Sequence, residues 1–299
     1  MEVLRTPDER FHNLPDYPFA ARFLDDLRNY EGLRVHYIDE GRQDDNSAQK
    51  TFLCLHGQPT WSYLYRKMIP VFTAAGHRCI APDLIGFGKS DKPIDDQRYT
   101  FDFHRGMLLR FIERLELKNI VLVVQDWGGL LGLTLPMDMP ERFTGLLVMN
   151  TSFATGDTPL GKGFLDWRAW NNANPDMAVG KLMARSNPHL SPEETAAYDA
   201  PFPGIDYKAG VRRFPNLVPD NPDAEGAALS RRARDWWRQQ WNGETFMAIG
   251  MKDPVLGPPV MAEVRRHIRN CPPPYEVAEG GHFVQEHGEE IARQALRHL

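Results

Sequence analysis

The sequence has no long hydrophobic run and no basic surplus, and each absence excludes a class of protein. No stretch reaches the roughly 18–20 apolar residues that a transmembrane helix needs, so we expect no membrane span. The 299 residues carry a net charge of −5, which gives the chain no general attraction for nucleic acid or for an anionic membrane. The first 19 residues are charged and interrupted by proline, so we expect no secretory signal peptide.

The chain is also poor in cysteine, and its three cysteines form no metal-binding pattern. Cys54 and Cys79 lie in apolar runs typical of strands, and Cys271 precedes three prolines. Neither a C-x-x-C pair nor an H-E-x-x-H motif, the usual signatures of zinc sites, occurs anywhere. We therefore predict unpaired thiols in a reducing cytoplasm and a protein that uses no metal and no other cofactor.

The sequence does contain a regular alternation of short apolar runs and longer helical patterns. Such alternation predicts a mostly parallel central sheet that is flanked by helices on both faces. The strand-like runs are 33–41, 51–57, 77–86, 119–126, 144–150, 244–250 and 275–279. The helical patterns lie near 60–75, 101–117, 128–139, 225–241, 258–269 and 285–298. The run at 33–41 alternates between apolar and polar residues, as a half-exposed strand does.

Residues 152–224 interrupt this alternation. The segment is rich in Pro, Asn, Asp and Gly, and it contains short helical pieces but no strand-like run. We therefore expect a core domain made of residues 1–154 and 222–299, into which a helical cap domain, residues 155–221, is inserted. A chain of 299 residues fits one large domain with such an insertion.

The stretch NIVLVVQDWGGLLG, residues 119–132, reads as a buried strand that passes through a sharp turn into an apolar helix. At this elbow one class of α/β enzymes presents a nucleophilic serine, in the pattern G-x-S-x-G. Here Asp126 occupies the central position, and Gly128 and Gly129 permit a tight turn with close packing of helix on strand. The alternative is that Asp126 only caps the helix, a position that suits aspartate.

Two further residues favour catalysis, because nucleophile, acid and histidine then follow in the chain order of that fold. Asp253 comes in the loop after the strand FMAIG, and His282 follows the strand YEVAE and a Gly-Gly turn. Both lie just past the carboxyl end of a strand, where open α/β sheets place their sites. We predict a catalytic triad of Asp126, Asp253 and His282. Other histidines, such as His104 and His287, lack this context, and we expect His287 to be exposed.

A carboxylate nucleophile predicts a two-step hydrolysis. An aspartate is ionised near pH 7 because its ordinary pKa is about 3.9, so it can displace a leaving group from saturated carbon and become an alkyl ester. His282 would then activate the water that hydrolyses the ester, while Asp253 fixes the histidine tautomer. The tetrahedral oxyanion would form on Asp126, and we expect the backbone N–H groups of Trp127 and Gln58 to bind it.

Trp127, directly after the nucleophile, predicts a site for the leaving group. An indole N–H can only donate a hydrogen bond, so in a dry cavity it stabilises a departing anion without taking part in proton transfer. The alternative is that this large hydrophobic side chain simply packs in the core. A second indole donor could come from Trp167 or Trp170, both within GFLDWRAW of the predicted cap.

The chain resembles the haloalkane dehalogenases of the α/β-hydrolase fold, of the subfamily typified by the dichloroethane-degrading enzyme. The resemblance covers nearly the whole chain and rests on FLCLHGQPTWSYLYRKMIP, GFGKSDKP, LVVQDWGGLLGLTLPM, AAYDAPFPGIDYKAGVRRFP, WNGETFMAIGMKDPVLGP and GGHFVQE. It implies hydrolysis of a haloalkane to a primary alcohol, a halide ion and a proton. In that reaction Asp126 is the nucleophile, His282 the base and Asp253 the acid, and Trp127 and Trp167 bind the halide.

The same resemblance implies the lining of a substrate pocket. The implied residues are Leu130, Phe164, Phe214, Pro215, Val218, Val255 and Leu256. Leu130 stands where the related enzyme has an aromatic residue, which predicts a roomier pocket. Gln58 replaces the Glu of that enzyme and the Asn of the other large subfamily, and a backbone N–H contribution survives both changes. The other subfamily carries its acid where this chain has Asn150, which favours Asp253 as the acid here.

Two other functions remain open from the sequence. An epoxide hydrolase shares the Asp–Trp elbow and the ester mechanism, and it would use cap tyrosines such as Tyr198 and Tyr207 to protonate the opening epoxide. A catalytically inactive ligand-binding receptor of the same fold would usually lack a triad member, and all three are present here. We expect a cytoplasmic monomer whose partners are a small halogenated alkane, water and halide, with no nucleic-acid or membrane partner.

Overall fold

The structure is a computed structural model of the chain, and it describes residues 2–41 and 49–299. The strands of the described residues are β1 (Val3–Leu4), β2 (Arg22–Leu24), β3 (Val35–Glu40), β4 (Thr51–Leu55), β5 (Arg78–Pro82), β6 (Lys92–Pro93), β7 (Ile120–Val124), β8 (Phe143–Met149), β9 (Glu244–Gly250) and β10 (Tyr275–Val277). The α-helices are α1 (Ile69–Ala74), α2 (Phe101–Arg114), α3 (Asp126–Gly132), α4 (Lys162–Ala173), α5 (Val179–Ser186), α6 (Pro192–Ala197), α7 (Ala209–Arg213), α8 (Ala227–Gln239), α9 (Pro258–Arg266) and α10 (Gly288–Ala295).

Eight strands form one sheet in the order β10-β9-β8-β7-β4-β5-β3-β2. The six strands from β10 to β5 are parallel to one another, and β3 and β2 extend the sheet antiparallel to β5 and to each other. This confirms the α/β fold with a mostly parallel sheet. The short β1 and β6 form a separate antiparallel pair, which the sequence did not predict because two residues are too few to show a periodicity.

The carboxyl ends of the parallel strands place the predicted site residues next to each other. Asp126 follows β7, and Asp253 and His282 follow β9 and β10. Since β7, β8, β9 and β10 are consecutive neighbours in the sheet, the loops that leave their carboxyl ends meet at one edge. Every residue of β4 and β7 is buried, so the sheet that carries these loops is part of the core.

Three expectations about individual elements were wrong. Of the helical pattern near 60–75, only Ile69–Ala74 forms an α-helix. Strand β3 is not half-exposed: its first four residues are buried, because the strand lies between β5 and β2, and His36 contacts the buried Asp83 (Nδ1–Oδ2 2.7 Å). Helix α3 ends at Gly132 rather than near residue 139. Pro136 accounts for the early end, since it has no N–H and disfavours helical geometry at the residue before it.

The chain between β8 and β9 contains helices α4 to α8 and no strand. The helical character predicted for residues 152–224 is therefore present, while the domain boundaries at residues 155 and 221 stay a prediction. The three cysteines are free thiols, as predicted, and the Sγ atoms of the buried Cys54 and Cys79 lie 3.7 Å apart. Within the described ranges, no helix is both long and apolar enough to cross a membrane.

Candidate active site

Asp126 sits at a strained elbow between β7 and α3. Its φ of +50° lies in the left-handed region, which costs a residue other than glycine on the order of 1–3 kcal/mol. Hydrogen bonds hold the elbow: the Asp126 N–H donates to the Asn150 carbonyl (2.9 Å), and the Thr151 hydroxyl donates to the Asp126 carbonyl (2.8 Å). Glycine is required two residues later, because a Cβ on Gly128 would lie 1.9 Å from the Leu55 carbonyl oxygen.

The carboxylate of Asp126 does not cap α3. Gln125 holds the N-cap position, and no side chain makes a capping hydrogen bond there. Instead, the Asp126 carboxylate accepts a hydrogen bond from the backbone N–H of Gln58 (2.8 Å) and lies 3.5 Å from Nε2 of His282. This geometry disfavours the interpretation of Asp126 as only a helix cap.

His282 lies between two carboxylates. Its Nδ1 is 2.9 Å from Oδ2 of Asp253, and its Nε2 faces Oδ2 of Asp126. Asp253 is itself held in place, because its Oδ1 accepts the backbone N–H groups of Val255 (2.8 Å) and Leu256 (3.1 Å). The structure thus brings the three predicted triad residues together in the order nucleophile, histidine, acid.

The two carboxylates control the charge of the imidazole. Burial alone would lower the pKa of His282, but Asp253 and Asp126 together raise it to about 10. Burial would likewise raise the pKa of Asp253, yet the charge and hydrogen bond of His282 and the backbone donors lower it below its ordinary value. At neutral pH the site therefore holds an imidazolium between two carboxylates.

Three hydrogen-bond donors hold the Gly57–Gln58 peptide, whose N–H points to Asp126. The carbonyl of Gly57 accepts hydrogen bonds from the Thr60 N–H (3.0 Å), the Thr60 hydroxyl (3.0 Å) and Nδ1 of His56 (2.9 Å). Because the carbonyl of Gly57 and the N–H of Gln58 belong to one rigid plane, fixing the first aims the second. A Cβ at position 57 would lie 2.2 Å from Oδ1 of Asp126, so only glycine allows this approach.

The indole groups of Trp127 and Trp167 both line the cavity at the nucleophile, and neither N–H has an acceptor within the described part of the chain. Three of the four packed tryptophans differ, since Trp61, Trp237 and Trp241 donate to Ala197, Leu133 and Thr245 respectively, whereas the buried Trp236 also has no acceptor among the described residues. Trp170 also lines the cavity without an acceptor, but it is 38% exposed and stacks on Trp167 at a centroid distance of 5.5 Å. The predicted halide pair therefore consists of two unused donors in one cavity.

The cavity has a volume of about 1040 Å³ and contains Asp126 and His282. Six of the predicted pocket residues line it, namely Leu130, Phe164, Pro215, Val218, Val255 and Leu256. Phe214 does not: it is fully buried and packs against Trp127 with ring centroids 4.8 Å apart. The expectation for Phe214 was wrong because its ring points into the core, where it packs against Trp127, one of the two predicted halide-binding residues.

The sequence prediction missed several residues around the triad. Gln125 donates from Nε2 to the carbonyl of His282 (3.0 Å) and lies 3.2 Å from its Nε2, and its place directly before the nucleophile could have suggested a role. His287, expected to be exposed, is half-buried, lines the cavity and lies 4.9 Å from His189, ring to ring. His287 is the last residue of the short 3-10 helix Val284–His287, whose other three residues are buried, and this position explains the difference.

The two cap tyrosines do not reach the cavity. Tyr198 is fully buried, and its hydroxyl hydrogen-bonds the Glu286 carboxylate and lies 3.3 Å from the guanidinium of Arg66. Tyr207 is not among the cavity-lining residues either. Among the described residues, no group of three or more His, Cys, Asp or Glu side chains is arranged to hold a metal ion.

Comparisons with known proteins agree with the fold. The chain matches the family model of the alpha/beta hydrolase fold over residues 50–289. It is 44% identical to a haloalkane dehalogenase of Psychrobacter cryohalolentis, over 100% of this chain and 98% of that protein. It is 39% identical to a haloalkane dehalogenase of Mycolicibacterium paratuberculosis, over 99% and 98%. Among solved structures, it is similar to the tetrameric haloalkane dehalogenase DpaA of Paraglaciecola agarilytica, with a TM-score of 0.96 and 53% identity over 99% of this chain and 98% of that one.

Proposed function

Since the chain belongs to the haloalkane dehalogenases, enzymes of the α/β-hydrolase fold, we propose that it hydrolyses haloalkanes through an ester on Asp126. The products are a primary alcohol, a halide ion and a proton. One observation carries the proposal. The backbone N of Gln58 lies 2.8 Å from Oδ1 of Asp126, and Nε2 of His282 lies 3.5 Å from Oδ2 of the same carboxylate. Attack, oxyanion stabilisation and water activation are thereby all directed at Asp126.

In the first step, an oxygen of Asp126 attacks the carbon that bears the halogen. A C–O bond forms, the carbon–halogen bond breaks, and the halogen leaves with the electron pair as halide. We assign the halide to the indole N–H groups of Trp127 and Trp167, which have no acceptor in the described chain. A preorganised donor to a developing anion is worth a factor of about 10²–10³ in rate in comparable sites.

Formation of the ester changes the state of His282. Asp126 loses its negative charge, and with it one of the two groups that raise the pKa of His282. The imidazolium can then release its proton to solvent, and that proton is the acid product of the overall reaction. Neutral His282 keeps its Nδ1–H on Asp253 (2.9 Å), which leaves Nε2 as the base.

In the second step, Nε2 of His282 takes a proton from water, and the hydroxide attacks the carboxyl carbon of the ester. The oxyanion develops on Asp126, where the Gln58 N–H already points and the Trp127 N–H, in the first turn of α3, is adjacent. Collapse breaks the ester C–O bond, and the remaining carboxyl proton passes to the alcohol. Asp126 returns as a carboxylate, and His282 returns as an imidazolium.

An epoxide hydrolase is not favoured. Its ring-opening step needs an acid in the cavity, and the two tyrosines that could serve, Tyr198 and Tyr207, lie outside the lining. The test is release of bromide and acid from 1-bromobutane or 1,2-dibromoethane, with Asp126→Asn as the inactive control. Turnover of styrene oxide without any halide release from the bromoalkanes would contradict the proposal.

We also propose an assembly state, a domain division and a cellular location. A monomer is our prediction from the sequence, whereas the related DpaA is tetrameric, so light scattering of the purified chain is the direct check. We propose that residues 155–221 form the cap, because this segment supplies Phe164 and Trp167 to the cavity that contains Asp126 and His282. A cytoplasmic location is proposed from the three unpaired thiols.

A further inference from the structure

Within the described part of the chain, the outer part of the cavity carries one permanent cation that has no carboxylate partner. Arg185, in the last turn of α5, lines the cavity, and in residues 2–41 and 49–299 no carboxylate forms an ion pair or hydrogen bond with it. The other charged side chains that line this outer part are paired. Asp166 pairs with Lys162, and Glu279 pairs with Lys252.

Arg185 is held over an aromatic stack. Its guanidinium carbon lies 5.7 Å from the ring centroid of Trp170, within the range of a cation–π contact. Trp170 in turn stacks on Trp167, with ring planes 23° apart. The carboxyl end of α5 also favours a cation at this position. The stack therefore connects the predicted halide site to a positive charge farther out in the same cavity.

The nearby His287 does not supply a comparable charge. His189 and His287 line the same part of the cavity, and their ring centroids lie 4.9 Å apart. Burial, followed by the effects of His189 and Lys67, lowers the pKa of His287. Among the described residues that line this cavity, Arg185 is thus the permanent cation without a carboxylate partner.

The cavity has room for a substrate with a long tail. Its volume of about 1040 Å³ lies at the upper end of the roughly 300–1,000 Å³ of pockets that hold drug-sized ligands. Apolar side chains such as Phe164, Leu182 and Val255 line it as well. A two-carbon haloalkane would leave most of this space, and the cation, unused.

We propose that the enzyme prefers linear carboxylates halogenated at the far end, whose carboxylate pairs with Arg185 while the halogenated carbon reaches Asp126. This inference rests on the proposed function. A guanidinium matches a carboxylate in a planar, two-bond geometry. Because Arg185 is exposed, the carboxylate stays in contact with water and avoids the large desolvation cost of a buried ion pair. Hydrolysis would yield the ω-hydroxy carboxylate, halide and a proton.

The test compares 6-bromohexanoate with two uncharged compounds of the same chain length, 1-bromohexane and 6-bromohexan-1-ol, by bromide release. We expect Arg185→Gln to lower kcat/KM for 6-bromohexanoate about three- to fivefold, mainly through KM, which is the range of an exposed ion pair. The neutral substrates should change by less than about twofold. Lys181→Gln is the matched control, since Lys181 is an exposed cation of α5 that does not line the cavity.

The outcomes separate this inference from the proposed function. If Arg185→Gln lowers kcat/KM for 6-bromohexanoate alone and Lys181→Gln does not, the anionic-tail substrate class is supported. If the wild type has a lower kcat/KM for 6-bromohexanoate than for 1-bromohexane, if Arg185→Gln leaves the ratio between these two substrates unchanged, or if Lys181→Gln shifts it equally, the inference is wrong while dehalogenation stands. If none of the three compounds releases bromide, the proposed function itself fails.

Discussion

Replacing Asp126 by asparagine tests whether the nucleophile sets the charge of His282. Asparagine has the shape of aspartate and, like the ester intermediate, carries no charge. Oδ2 of Asp126 lies 3.5 Å from Nε2 of His282, and at an effective dielectric constant of about 20 two unit charges at that distance attract by ~5 kcal/mol. Both side chains are 17% exposed, so water screens part of this attraction. We expect the pKa of His282 to fall from about 10 by about two pH units, ~3 kcal/mol.

The assay is a pH titration of the histidine side chains by NMR, with carbon-13 in the imidazole rings. The chain has ten histidines, and the resonance of His282 is the one missing from a His282→Gln variant. Asp166→Asn is the control, because Asp166 lines the same cavity but pairs with Lys162. A pKa of His282 that stays near 10 in Asp126→Asn would refute the reasoning, since ester formation could not then turn the imidazolium into a base.

The same pKa determines how stability depends on pH. His282 has a folded-state pKa raised from 6.5 to about 10. Its contribution to the free energy of unfolding is therefore complete below pH 6.5 and is lost as the pH rises through 10. Asp253, whose pKa is lowered from 3.8, contributes above that value and loses its contribution as the pH falls. In urea unfolding, Asp126→Asn should lose less stability than the wild type between neutral pH and pH 10.

Three other substitutions test the base, a halide donor and a buried ion pair outside the cavity. His282→Gln removes the base but not the nucleophile, so prolonged incubation with 1-bromobutane should leave a butyl ester on Asp126, visible as added mass; an unmodified protein would contradict the assigned roles. Trp167→Phe removes one halide donor, and we expect bromide binding, followed by quenching of tryptophan fluorescence, to weaken about tenfold or more; unchanged binding would exclude Trp167. Glu286→Gln leaves the buried guanidinium of Arg66 without its two-bond partner (2.8 Å each) and should cost about 3 kcal/mol in urea unfolding, whereas a change near zero would mean that Glu194 alone suffices.

The triad could be predicted from the sequence because its geometry follows from the order of strands. Asp126, Asp253 and His282 each come just after a buried apolar run, and parallel strands put such positions at one edge of the sheet. The Gly128 and Gly129 pair after Asp126 indicated the elbow, and a Cβ at either position would indeed lie within about 2 Å of an oxygen. These features depend on local sequence and on the sheet, which the apolar pattern specifies directly.

The outer cavity could not be predicted in the same way. Arg185, His189 and Lys252 come from short helices and loops, where spacing carries no information about which side chains meet. Phe214 and Pro215 are adjacent in the sequence, yet only Pro215 lines the cavity, because tertiary packing turns the Phe214 ring towards Trp127. Substrate preference depends on this outer region. The sequence therefore predicts the type of reaction but not the preferred substrate.

Asn150 explains how the triad acid can follow β9, as Asp253 does here, although the other large subfamily of haloalkane dehalogenases has its acid after β8. The two positions touch: Nδ2 of Asn150 donates to Oδ2 of Asp253 at 3.0 Å, and its Oδ1 accepts the Gly250 N–H at 2.8 Å. A carboxylate at position 150 would put two negative charges at that separation, so one of them would bind a proton and weaken its hold on His282. The amide instead supplies a donor to the acid. An acid at position 253 therefore requires a neutral hydrogen-bond donor at position 150, and Asn150 is that donor.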